Sequence, residues 1–143
     1  MIHRMTAALL SLTGLFISAY LYLYKMGKIG SLACGSGGCE TVQWSPWSRV
    51  AGIEVSLVGL LGYASLLVLC LAALQPIMAQ RREPALLLAM LSGMAVVFTV
   101  YLTYLELFVI HAICRWCVAS GAVIVGIFIL SLLDLRRLHR ARI

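Results

Sequence analysis

Five cysteines are present, and four of them form two close pairs. Cys34 and Cys39 bound the stretch CGSGGC, while Cys114 and Cys117 form a Cys-x-x-Cys within HAICRWCVAS. Thiols three residues apart on a helix lie on the same side of it. Such a pair can exchange with a disulfide, bind a soft metal or brace a fold. Glycines at 35, 37 and 38 make the first pair's linker flexible, so Cys34 and Cys39 can come within disulfide geometry. Closing so small a loop contributes only about 2 kcal/mol by chain entropy. A pair of this kind is better suited to exchange than to bracing. Cys114 falls where a last helix should begin, where free N–H groups and the helix dipole favour a thiolate. Arg115 adds positive charge beside it. Cys117 lies one turn deeper, toward lipid. Cys70 lies inside an apolar run and reads as a small core residue.

The elements that must position these thiols are membrane spans. Hydrophobic residues make up 63% of the chain and charged residues 11%, which excludes an ordinary soluble globule. Four apolar stretches of about 20 residues are each long enough to cross a bilayer as a helix. They lie at about 5–24, 55–74, 85–105 and 114–134. The expectation is an all-α integral membrane protein: one domain over 1–143, a four-transmembrane-helix bundle, with an outer loop at 25–54. In that loop Ser45 and Pro46 read as N-cap and first residue of a short surface helix over about 46–51. Gly52 would end it, and Trp44, Trp47 and Val50 would form its apolar side.

Orientation follows from Lys and Arg. One side collects Arg4, Arg81, Arg82, Arg136, Arg137, Arg140 and Arg142, against Lys25, Lys28, Arg49 and Arg115 on the other. Seven against four puts both termini in the cytoplasm and all four paired cysteines on the outer, disulfide-permitting side. That side is the periplasmic face of a bacterial inner membrane or an equivalent lumenal face. Topology thus accounts for the net charge of +6, and the run RRLHRAR reads as a membrane-surface anchor, with no nucleic-acid partner. Cleavage of a signal peptide before Cys34 is set aside because Lys25 and Lys28 intervene. Ser56, Gly59 and Gly62 provide small-residue spacing for close helix packing and room for a flat ligand. Glu54, Glu106 and His111 read as interfacial residues facing water.

A loop cysteine pair, a Ser-x-Trp with a following glycine, the stretch SLVGLLGY and a CxxC opening the last span together resemble the bacterial form of the vitamin K epoxide reductase family. The resemblance extends from about Met5 to Asp134, anchored on Cys34, Cys39, Ser45, Gly59, Cys114 and Cys117. The order of the pairs separates it from DsbB-type enzymes, whose CxxC lies in the first outer loop. The resemblance implies a bundle around a quinone pocket (menaquinone or ubiquinone) near the outer face. Cys117 would meet the quinone, and Cys114 would pair with Cys117 and exchange with Cys39. Cys34 would exchange with a thioredoxin-like (DsbA-like) protein, and Ser45 would stand over the active cysteines. Animal members carry an asparagine and a tyrosine, both hydrogen-bonding the quinone head group, where this chain has Val55 (beside Ser56) and Gly121. Vitamin K epoxide is therefore not implied as substrate. Some bacterial relatives carry a fused thioredoxin-like domain; this chain ends at Ile143, so the expected partner is a separate protein.

The chemistry is coherent from the residues alone. Disulfide exchange and quinone reduction each move two electrons. A lipid-soluble quinone can reach a thiol at the membrane edge, and a protein can reach a loop thiol from water. Two pairs in series connect those phases. The competing readings are a soft-metal carrier using the four outer cysteines and His111, and a membrane scaffold with incidental cysteines.

Overall fold

In the computed structural model the residues described are 2–28, 44, 46, 49–50, 52–78, 80–111 and 115–142, with backbone alone for 50 and 141–142. Four long helices dominate: α1 (Ile2–Lys25), α2 (Val55–Ala73), α3 (Glu83–Tyr104) and α4 (Arg115–Arg142). α3 runs on without a break into a π-helical turn over Leu105–Ile110. All four are long and apolar enough to span a membrane, and the protein is a four-helix membrane bundle.

α1 shows why the helices pack. Its buried positions include Arg4, Ala7, Ser11, Gly14, Ser18, Leu21 and Tyr24, steps of three or four that make one face of a helix. Most are small, so neighbouring backbones approach closely. Gly14 leaves the space that the Tyr63 ring occupies; a Cβ there would collide with it. α1 lies against α2 and α4, α3 packs on α4, and α3 touches α2 less closely. The helices therefore follow one another around a ring. Large apolar side chains such as Phe16, Leu61, Met94 and Ile129 face outward, as lipid contact requires.

Several serine hydroxyls inside the spans are satisfied locally. Ser11, Ser65, Ser92 and Ser131 each donate to the carbonyl four residues earlier, at 2.8, 2.9, 2.5 and 2.9 Å. The α2–α3 connection carries Pro76, and Pro84 stands in the first turn of α3, where a missing N–H costs nothing.

One end of the bundle is tied by a side chain that the sequence marks only as an orientation signal. Arg4 is 1% exposed. It donates to Asp134 Oδ2 at 2.7 Å on α4, and to the carbonyls of Ala73, Met78 (3.0 Å) and Arg81 (3.2 Å). Asp134 also accepts from Arg137 at 2.9 and 3.2 Å. The start of α1, the α2–α3 connection and the end region of α4 thus meet at one end, where Arg81, Arg82, Arg136 and Arg137 also lie.

The expected surface helix over 46–51 is corrected at its C-terminal end. Arg49–Val50 is a strand, β1, paired antiparallel with Ile53–Glu54, β2. The two-residue connection has Gly52 at φ 83°. A positive φ at the second position is what type II and I′ turns require, so Gly52 turns a hairpin rather than ending a helix. The third span is also longer than the expected 85–105, because the π-helical turn continues it to Ile110. His111 closes it in the left-handed conformation, φ 57°.

Candidate functional site

At the end opposite Arg4, the loop and the helices are fastened by aromatic and charged groups. Trp44 Nε1 donates to Tyr24 Oη at 2.8 Å, and the two rings meet edge to face at 6.0 Å. Lys25 Nζ sits 4.4 Å above the centre of the Trp44 ring. Glu54, just before α2, takes Lys25 at 3.5 Å and Arg49 at 2.9 Å. Far from simply facing water, Glu54 ties the hairpin to the end of α1.

Beside this clamp α4 begins. Trp116 packs against Tyr20, ring centres 5.3 Å apart. Trp116 and Cys117 rest on the cluster of Ile17, Leu21 and Tyr24 from α1. Cys117 is partly buried and lines a cavity of about 900 Å³. That volume is at the upper end for small-molecule sites. All four helices contribute to its wall: Ser18 and Leu21 from α1, Ser56 and Gly59 from α2, Phe98 and Thr99 from α3, and Cys117, Ser120 and Gly121 from α4.

The wall is mostly apolar, with a few polar groups. Tyr63 spans from α2 to α4, donating to the Ser120 carbonyl at 2.6 Å and sharing a 2.8 Å hydrogen bond with Ser120 Oγ. Ser56 behaves differently from the other span serines. It is the second residue of α2, so no helical carbonyl lies four residues behind it. Its Oγ is buried with no hydrogen-bond partner among the described residues, although a buried hydroxyl normally has one. Gly62, also in the wall, has nothing within 4 Å of where a Cβ would stand. Gly59 and Gly121 instead admit neighbours closely: a Cβ on them would stand 2.9 Å from Ser18 Oγ and from Thr99 Cγ2. The chamber thus suits a flat, largely apolar ligand carrying a hydrogen-bonding oxygen.

Of the site residues expected from sequence, Cys117, Val55, Ser56, Gly59 and Gly121 all line this cavity. Cys34, Cys39, Ser45 and Cys114 lie outside the described residues. Sequence reasoning misses two residues. Tyr63 reads in sequence only as part of an apolar span. Glu106 reads as an interfacial residue facing water, yet it is 5% exposed and lines the cavity. The available signal is the apolar sequence continuing past it, LFVI, to Ile110.

A family comparison agrees with this arrangement. The model of the vitamin K epoxide reductase family matches residues 5–132, most of the chain, and reaches into all four helices. The protein belongs to the vitamin K epoxide reductase family.

Proposed function

We propose that the protein carries electrons from a separate thioredoxin-like protein to a membrane quinone, with Cys117 as the thiol that meets the quinone. Its family's general chemistry is quinone-linked thiol–disulfide exchange, so the chain is an oxidoreductase. The observation that carries the finer reading is that Cys117 on α4 and the unpartnered Ser56 hydroxyl on α2 line one apolar chamber. A quinone fits that chamber in kind: a flat ring for the apolar walls and an oxygen to accept from Ser56. Such an acceptor, when bound, takes up two electrons and two protons.

The chain's own residues would do the rest. Cys34 and Cys39 would receive electrons from the partner's thiols in the aqueous loop and pass them to Cys114 by exchange through Cys39. Cys114 and Cys117 would then close their disulfide as they give up two electrons. Ser56 and the backbone of Gly59 and Gly62 would hold the ring, and the Trp44–Tyr24–Lys25 clamp would keep the loop near the start of α4. Val55 and Gly121 line the chamber but supply no side-chain donor, so head-group recognition would fall to other wall residues such as Ser56, and vitamin K epoxide is not implied as substrate. The arginines gathered at the Arg4 end support placing both termini in the cytoplasm of a bacterial cell, with the redox end outside.

The test is quinone reduction by purified protein in detergent, with a reduced thioredoxin-like protein as donor. Parent protein is expected to form quinol, followed by absorbance, with Cys117→Ala abolishing it. A parent that reduces neither menaquinone nor ubiquinone would overturn the reading.

A further inference from the structure

We propose that Glu106 is a catalytic acid that delivers a proton to the quinone as the cysteine pair is oxidised; this rests on the quinone reading of the cavity. Three observations lead there. First, the Glu106 side chain is buried in a membrane span and lines the same cavity as Cys117 and Ser56. Ionisable groups inside spans are expensive and mark proton or substrate paths. Second, among the described residues of the wall it is the sole carboxyl. The other titratable groups facing the cavity are Tyr63 from α2, Tyr101 from α3 and Cys117 from α4, while α1 contributes Ser18 and Leu21. Third, Glu106 is the second residue of the π-helical turn Leu105–Ile110. Turns of this kind inside α-helices recur at functional sites, because the extra residue re-aims the side chains around it.

The reaction needs such a group. Oxidising two thiols breaks two S–H bonds, forms one S–S bond and releases two electrons and two protons. Reducing a quinone adds two electrons and places one proton on each of its two oxygens. In a chamber walled by apolar side chains, those protons require a carrier. A protonated carboxyl offers an O–H, and a carboxylate accepts one. Glu106 gives its proton to one quinone oxygen and takes one back from the thiols. The second thiol proton goes to the other oxygen. The carboxyl ends as it began, and the sum is dithiol plus quinone giving disulfide plus quinol.

The experiment compares the parent, Glu106→Gln and Glu106→Asp as full-length protein in detergent, with the dithiol reduced beforehand and one turnover followed after mixing with menaquinone. Quinone binding is measured separately by tryptophan fluorescence quenching, and the carboxyl C=O stretch by infrared difference spectroscopy. The expected result is a loss of about 100-fold in the single-turnover rate of Glu106→Gln, the lower end for removing a general acid. Quinone affinity stays within twofold, and a small weak acid such as formic acid restores part of the rate. Glu106→Asp keeps more activity than Glu106→Gln, and a carboxyl band seen on oxidation of the parent is missing from Glu106→Gln. A parent that turns over while Glu106→Gln matches its rate and keeps the band overturns the proton role alone. A rate loss that tracks lost quinone binding and is not restored by acid also overturns it, leaving Glu106 a binding residue. A parent that does not reduce quinone overturns the underlying reading instead.

Discussion

Replacing Arg4 by alanine removes one buried guanidinium and all four of its hydrogen bonds. Deleting one partner of a buried ion pair typically destabilises by about 3–5 kcal/mol, because the other charge is left behind. Asp134 would still hold Arg137, with contacts of 2.9 and 3.2 Å, so the expected loss is at the low end, about 3 kcal/mol. The reverse truncation, Asp134→Ala, leaves Arg4 with three carbonyl acceptors from the α2–α3 region. Its loss is therefore smaller, about 2 kcal/mol for the charged hydrogen bond given up. The two values are measured by equilibrium unfolding in mixed dodecyl maltoside and SDS micelles, followed by circular dichroism, with the double variant completing a thermodynamic cycle. The coupling between 4 and 134 should be favourable and exceed about 1 kcal/mol. An Asp134→Ala loss as large as that of Arg4→Ala would refute this reasoning, since the carbonyl contacts would then contribute nothing. So would an Arg4→Ala variant within about 0.5 kcal/mol of the parent, the range of an ordinary surface change.

Two further outcomes concern the cavity. Ser56→Ala removes a hydroxyl that has no partner among the described residues, so stability should hold or rise, while the quinone dissociation constant rises about 3- to 10-fold, the equivalent of one hydrogen bond. Fluorescence-quenching titration together with a melting curve tests this, and an unchanged constant would remove Ser56 from the binding site. Gly62→Leu puts a side chain into open space in the chamber wall. It should weaken quinone binding by about tenfold or more, one lost kilocalorie or two, with no loss of unfolding free energy; a destabilised variant with normal affinity would contradict the space assigned there.

The four spans were legible because each apolar run carries its own length and its own stops; Ser56 and Gly59 came with the small-residue spacing of α2, and Val55 with the family resemblance. Cys117 was legible as a thiol one turn into the last span, and there it faces the chamber. The features that escape a sequence reading depend on contacts between distant residues. Arg4 looks like any cytoplasmic-side cation because nothing local announces that Asp134, 130 residues away, will receive it. Glu106 looks interfacial because a charge commonly ends a span, whereas here the helix carries it inside and continues as a π-helical turn. Gly52 shows the ambiguity of glycine itself. A positive φ serves a helix end and a hairpin equally, and the β-branched neighbours Val50 and Ile53 are the local hint for the hairpin.

The Arg4 knot also bears on how the chain is made. Synthesis runs from the N-terminus, so Arg4 emerges long before any of its acceptors. Ala73, Met78 and Arg81 arrive in turn with the first helical hairpin, and Asp134 comes with the last helix. A cation this close to the N-terminus serves meanwhile as an orientation signal during insertion, by the general rule for Lys and Arg at span ends. Only when α4 has entered can that cation leave water and be covered. The ion pair with Asp134 is thus the last of Arg4's contacts to become available, and a chain without α4 would leave the guanidinium at the bundle end without that carboxylate.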